Sequence, residues 1–268
     1  VENGLCAQNL VIPKVYKEVF LDNHNRFILS SGRISGKTSV LVALWWAVSN
    51  KYPDKDIIIL HATATEIKDS IINEIKKFLR NSGIEDDYII PESATTIQKR
   101  DRKGVTYFYP ITDSKGGQRT RGVTTANPIS LVLYEECQKN KDANVVEQSL
   151  ATFVRQIDKD AKIVIVGNNE AIGHWFIDFV KNKISEGWFY IYANCYDIWK
   201  LLSEATKTYI QEFKDNNPIE FRRMFLGDIY AATSDVVFPQ FNRERNYKTA
   251  DKLDQKYIVT IIVGIDPA

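Results

Sequence analysis

The sequence predicts an α/β fold, a parallel sheet flanked by helices, on three observations. Short apolar runs rich in β-branched residues alternate with stretches of helical periodicity. The first run, Arg26-Phe27-Ile28-Leu29-Ser30, passes directly into Ser31-Gly32-Arg33-Ile34-Ser35-Gly36-Lys37-Thr38, a phosphate-binding loop, and then into an apolar helix over residues 39 to about 48. Another run, Ile129-Ser130-Leu131-Val132-Leu133-Tyr134, stops abruptly at Glu135-Glu136. At 268 residues the chain can bury a sizeable core in one large domain with an appendage.

The remaining elements follow in order. Residues 56–61 form a strand, and residues 66–79 carry Ile67, Ile71, Ile72, Ile75, Phe78 and Leu79 at helical spacing, a stripe that faces the core. Trp45 and Trp46 in the first helix are packing residues. From 88 to about 111 the pattern turns β-like, with Gly104 at a hairpin turn and 105–109 as a strand. Residues 145–157 return to helix. The strand Lys162-Ile163-Val164-Ile165-Val166 then runs into Gly167-Asn168-Asn169, and a helix covers 177–184. Residues 197 to about 230 are helical, with Pro218 near a helix start, and belong to a lid placed at about 190–232. Residues 239–255 are polar and charged, the composition of a linker, and 257–265 read as a strand. No internal repeat or low-complexity tract interrupts the pattern.

Three strand ends carry the chemistry. Backbone N–H groups of Gly32, Arg33, Ile34, Ser35 and Gly36 can surround a polyphosphate, Lys37 can neutralise its terminal oxygens, and the Thr38 hydroxyl can ligate Mg²⁺. Ser31 stands where the usual motif has its first glycine. At the tip of 129–134, Glu135 would hold the metal, usually through water, and Glu136 would polarise the attacking water. Asn168 is placed to touch a γ-phosphate or that water. ATP with Mg²⁺ is the ligand these groups suit.

Composition narrows the partners. Thirty-five Lys and Arg face 34 Asp and Glu, so net charge gives no general attraction to nucleic acid, and any contact must be local. Residues 97–121 supply one such cluster, seven basic residues against two acidic. The three cysteines, Cys6, Cys137 and Cys195, fit reduced thiols, and His24, His61 and His174 lack metal-ligand spacing. No run of about 18 apolar residues marks a membrane span.

Together these residues resemble the ATPase domain of the large terminase subunit of tailed bacteriophages. The likeness rests on the loop from Gly32 to Thr38, on Ile57-Ile58-Ile59-Leu60-His61-Ala62-Thr63 ahead of Ile67-Lys68-Asp69-Ser70, and on Leu131-Val132-Leu133-Tyr134-Glu135-Glu136. It continues through Val166-Gly167-Asn168-Asn169, His174-Trp175-Phe176, Phe225-Leu226-Gly227-Asp228 and Val237-Phe238-Pro239. The resemblance implies a RecA-like ATPase of the ASCE class over 1–235, and over 236–268 a linker and first strand of an RNase-H-like nuclease domain. The first nuclease aspartate would be Asp266, and a single carboxylate is not expected to cut DNA by a two-metal mechanism. The family also implies an arginine finger, for which Arg121 acting in trans and Arg33 acting in cis are the candidates, with Arg119 two residues from the former. Tyr16 falls where the family places adenine contacts. The implied partners are double-stranded DNA, a portal protein, a small terminase subunit and copies of the chain in a ring on the procapsid, with a monomer in isolation also compatible. The implied location is the host cytoplasm. A helicase-like DNA-dependent ATPase and a nucleotide-binding assembly module with little turnover are the alternatives.

Overall fold

Alternation within each apolar run sends successive side chains to opposite faces of a sheet, and both faces are covered. Ile57 and Ile59, Leu131 and Leu133 enter one core, while Ile58 and Leu60, Val132 and Tyr134 enter the other. Strands buried on both sides read as near-continuous apolar runs, which is why they stand out in the sequence.

The computed structural model describes residues 12–21, 23–93, 95–111, 124–170 and 173–229. By its contacts the chain divides into Val1–Ala231 and Ala232–Ala268. The strand and linker expected beyond residue 235, with Asp266, lie outside the described residues, as do Arg119 and Arg121.

In chain order the strands are β1 (Arg26–Ser31), β2 (Asp56–His61), β3 (Tyr88–Ile89), β4 (Thr96–Lys99), β5 (Val105–Pro110), β6 (Ile129–Tyr134), β7 (Ile157–Asn168) and β8 (Phe189–Ala193). They form one sheet in the order β3-β4-β5-β2-β6-β7-β1-β8. From β5 to β8 every pairing is parallel, and β3-β4-β5 adds an antiparallel extension.

The helices are α1 (Lys17–Phe20), α2 (Lys37–Lys51), α3 (Ala64–Ile67), α4 (Asn73–Asn81), α5 (Ala143–Phe153), α6 (Trp175–Ser185), α7 (Glu204–Asn216) and α8 (Pro218–Met224). α2 is apolar on most of its circumference and buries Val40 through Trp45, as expected for a helix held against the sheet on one side and α4 on another. The Trp45 indole donates to Thr106 Oγ1 at 2.8 Å, satisfying its polar edge inside the core.

Four expectations needed correction. The helix expected over 66–79 is α3 and α4 joined by a π turn, Lys68–Ile72, and starts at Ala64 behind the capping Thr63. The helix expected over 145–157 ends at Phe153. Gln156 N–H bonds Phe153 O and Ile129 N–H bonds Gln156 O, so the chain has already turned into β7 when Ile157 arrives. Phe153 and Ile157, four apart, imitate one more helical turn and hide that boundary. Strand β7 accordingly begins at Ile157, five residues before the expected 162. Residues 190–193, assigned to the lid, belong to edge strand β8, whose Ile191 and Ala193 join the core while Tyr190 and Tyr192 face outward.

Beyond β8 the chain is helical as expected. Asn194 caps the 3-10 turn Cys195–Leu201 reciprocally with Asp197, Ser203 caps α7, and Pro218 opens α8. Cys195, Ile210, Phe221 and Phe225 give this region its own small core.

Candidate active site

Because β1, β6 and β7 are adjacent and parallel, their C-terminal ends emerge on one edge of the sheet. There they bring the phosphate loop, Glu135-Glu136 and Asn168 to a single cleft of about 430 Å³, the crevice where open parallel sheets bind ligands. A larger open depression of about 660 Å³ sits at the opposite strand ends beside Arg26 and Lys159, far from the loop's chemistry.

The loop explains its own departure from the usual motif. Ser31 remains in β1, paired with Asn168 and Ala193, so its position needs no left-handed backbone and tolerates a side chain. The turn is made later, by Ile34 at φ 52° and Gly36 at φ 82°. Gly32 is obligatory for a different reason: a Cβ there would stand 2.1 Å from Phe225 O. Arg33 N–H bonds Met224 O at 2.6 Å, and the Asn169 amide bonds Gly227 O at 2.8 Å, so segment 224–227 is laced to the loop and to the end of β7.

Lys37 Nζ donates to Gly32 O and to Asn168 Oδ1, both at 2.8 Å, and to Ser35 Oγ at 3.2 Å. Burial lowers its pKa to about 8, against the opposing pull of Glu136 and Glu135. Thr38 Oγ1 donates to Glu135 Oε1 at 3.0 Å, and Ser70, carried by the π turn, donates to Glu135 Oε2 at 2.6 Å. Burial nevertheless raises the Glu135 pKa. A carboxylate and a hydroxyl side by side are hard oxygen donors of the type Mg²⁺ takes. Among the described residues, no group of three or more His, Cys, Asp or Glu is arranged to hold a metal ion.

Glu136 sits in the left-handed region at φ 51° and ψ 41°, a conformation costing a non-glycine residue roughly 1–2 kcal/mol. Its carboxylate lies 3.2 Å from His61 Nε2 and 2.5 Å from Lys139 Nζ. The His61 contact, followed by Lys139, holds its pKa down to about 2 despite partial burial, so it is ionised throughout the neutral range.

The structure therefore joins Ser31, Gly32, Arg33, Ile34, Ser35, Gly36, Lys37, Thr38, Glu135, Glu136 and Asn168 in one place. Arg33 is exposed at the cleft's rim. Tyr16 is a correction: its ring is wholly buried and offers no face to a base. Its hydroxyl donates to Ser35 O at 2.9 Å, bracing the loop from below, and burial raises its pKa to about 12. In the basic cluster, Arg102 is committed to Ser49 O and Asn50, and Arg100 to Asp86 O.

Sequence reasoning missed His61, Ser70, Lys139 and Asn169 as site residues. His61 is far from Glu136 along the chain but one strand away in space, and only the strand order reveals that.

The profile of the phage terminase large subunit family matches residues 23–228. A search of curated proteins found no match. Among solved structures, the large terminase of a thermophilic bacteriophage superimposes with a TM-score of 0.63 at 15% identity, over 86% of this chain and 55% of that one. The same enzyme in complex with ADP gives 0.63 at 12% identity over the same shares. The large terminase ATPase domain of Thermus phage P74-26 gives 0.54 at 13% identity, over 76% of this chain and 88% of that domain. At these identities the likeness establishes the fold, and the chain spans about half the length of the first of these enzymes. Since the family profile covers most of its length, from before the phosphate loop to the segment laced against it, the chain belongs to the phage terminase large subunit family.

Proposed function

We propose that this chain is the ATP-hydrolysing part of a viral genome-packaging motor, which couples Mg-ATP hydrolysis to movement of double-stranded DNA into a procapsid. The observation that carries the reading is the convergence of Lys37, Thr38, Glu135, Glu136 and Asn168 on one cleft. Each group has a role its surroundings suit. Loop N–H groups and Lys37 bind the phosphates, and Thr38 and Glu135 would hold Mg²⁺, which supplies charge neutralisation on the phosphate oxygens. Glu136, kept ionised by His61 and Lys139, orients the attacking water and takes its proton. Asn168, bonded to Lys37, registers the terminal phosphate, and Asn169 links the same strand end to segment 224–227, a route from hydrolysis to the helical region beyond.

Arg33 at the rim is the candidate finger in cis, and Arg121 the candidate in trans. DNA, portal protein, small terminase subunit and neighbouring copies in a ring are the partners the family membership favours, and the host cytoplasm the place. Among the described residues no helix is long and apolar enough to cross a membrane.

The deciding experiment is steady-state ATP turnover by the purified chain with and without double-stranded DNA, beside Glu136→Gln. Turnover that is Mg²⁺-dependent and lost in the variant supports the reading. Nucleotide binding without turnover in either condition overturns it in favour of an assembly module.

A further inference from the structure

A serine inside a helix ordinarily bonds the carbonyl one turn back or water, and helix propensity does not favour it there. The Ser70 hydroxyl instead crosses to another element and donates to Glu135 Oε2 at 2.6 Å, just past the end of β6. The backbone that carries it is the π turn Lys68–Ile72, a geometry found mostly at functional sites. On that turn Lys68 and Asp69 are exposed, while Ile71 and Ile72 are buried. A helix irregularity and a polar contact between elements coincide at one residue, and packing alone does not call for a hydroxyl there.

Glu135 is the reason. Its side chain is buried, and Thr38 Oγ1 donates to the other carboxylate oxygen, Oε1, at 3.0 Å. Thr38 and Glu135 line the cleft, and Ser70 does not. In phosphate-loop ATPases the corresponding acidic residue is commonly the shorter aspartate. Glutamate adds a methylene and a further torsion, so one bond at Oε1 would leave its head free to turn. Hydroxyls on opposite oxygens fix that head, and each oxygen keeps a lone pair for another partner.

Resting on the ATPase reading above, we propose that Ser70 is a positioning residue for Glu135. It holds Oε2 so that the longer side chain keeps its head beside Thr38, where the two would take the cation bound with the nucleotide. The π turn lets the helix present the hydroxyl at that point. Ser70 touches neither nucleotide nor cation in this scheme. Its effect falls on the affinity that Mg²⁺ adds to nucleotide binding and leaves metal-free binding alone.

The test measures affinity for a fluorescent ATP analogue, titrated in Mg²⁺ and in EDTA, for the unsubstituted chain, Ser70→Ala and Ser70→Thr. Mg²⁺ should tighten binding to the unsubstituted chain. Ser70→Ala should lose about tenfold of that gain, the scale of removing a group that orients a metal ligand, with affinity in EDTA within about twofold. Ser70→Thr, which keeps the hydroxyl, should recover most of the loss. Alanine is the better helix former, so Ser70→Ala is expected to fold. Thermal unfolding without nucleotide or metal gives a separate readout. Glu135→Asp already withdraws the carboxylate from Ser70, so its Tm shift and that of Ser70→Ala should fail to add in the double variant. An unchanged Mg²⁺ gain in Ser70→Ala, an equal loss in EDTA, no recovery in Ser70→Thr, or additive Tm shifts would overturn the proposal. Equal affinity of the unsubstituted chain in Mg²⁺ and EDTA would also overturn it, with phosphate binding by the loop left standing. No binding of the analogue in either condition overturns the ATPase reading first, and this inference with it.

Discussion

Lys37 Nζ donates to Asn168 Oδ1 at 2.8 Å, which joins the phosphate loop to the end of β7 directly across the cleft. A phosphate entering here must share the ammonium with the amide. Asn168→Asp places a full negative charge in that position, so the carboxylate competes with the phosphate for the lysine. Affinity for an ATP analogue should fall about tenfold or more, some 1.4 kcal/mol. Asn168→Ala should instead keep affinity within a few-fold while turnover drops. Equal affinity in Asn168→Asp and the unsubstituted chain, by fluorescence titration, would contradict the arrangement.

The lowered Lys37 pKa has a definite sign. Burial brings it from 10.5 to about 8, so between those values the folded chain binds fewer protons at residue 37 than the unfolded chain does. The destabilisation from burying that charge is complete below pH 8 and fades as pH rises toward 10.5, a gain absent from Lys37→Met. Phosphate favours the charged amine, so nucleotide binding above pH 8 should take up a proton and weaken as pH rises. Titration calorimetry at pH 8.5 in two buffers of different ionisation enthalpy measures that uptake, and identical heats would refute it.

Glu136→Gln should preserve nucleotide affinity and cut turnover by about 10²-fold or more, the scale of losing a general base. The same variant carries an acid signature. A carboxylate held at about 2 contributes stability above its unfolded pKa near 4.5, and this contribution is lost as pH falls toward 2. Melting temperature should therefore fall less steeply across that window in Glu136→Gln than in the unsubstituted chain.

Gly32→Ala is expected to destabilise by about 1–3 kcal/mol, because a Cβ 2.1 Å from Phe225 O forces backbone apart on one side or the other. Gly227→Ala faces the same interface, 2.9 Å from Gly32 N, from a φ of 63° that alanine resists. Gly173→Ala, with nothing within 4 Å, separates the two costs, since only its φ of 91° opposes the substitution. Tm values for the three should place Gly173→Ala nearest the unsubstituted chain.

For the arginine finger, a trans mechanism predicts that activity per molecule rises with protein concentration, and that inactive Arg121→Ala regains turnover when mixed with inactive Lys37→Ala. A finger contributes roughly 10³–10⁵ in rate, so rescue is easily measured. Concentration-independent turnover with no rescue assigns the role to Arg33.

The sheet was legible in the sequence because its central strands are buried on both faces and so appear as unbroken apolar runs ending in polar residues that packing does not explain. Edge strand β8 was not, since outward Tyr190 and Tyr192 carry the same aromatic character as inward Phe189, and no polar alternation announces an edge. The cleft's polar groups were legible because each lies at or shortly after the end of an apolar strand. The groups that orient them were not: Ser70 reaches Glu135 from 65 residues away and Lys37 reaches Asn168 across 131, separations that only strand order can close. Tyr16 misleads because its ring and its hydroxyl serve different neighbours, the ring the core and the hydroxyl the loop.

The π turn over Lys68–Ile72 holds one residue more than an α-helical path would, and one residue amounts to about 100° of rotation about the helix axis. Ser70 meets Glu135 while Ile67, Ile71, Ile72 and Ile75 all stay seated in the core. The helix is thus two angular registers spliced together, one set by the carboxylate and one by the sheet. Removing a single residue between 68 and 72 would heal the helix into regular α geometry, yet swing everything on one side of the cut by that angle, so that either Ser70 leaves Glu135 or the apolar stripe of α4 turns toward solvent. Geometrical regularity in this helix and contact with Glu135 are mutually exclusive.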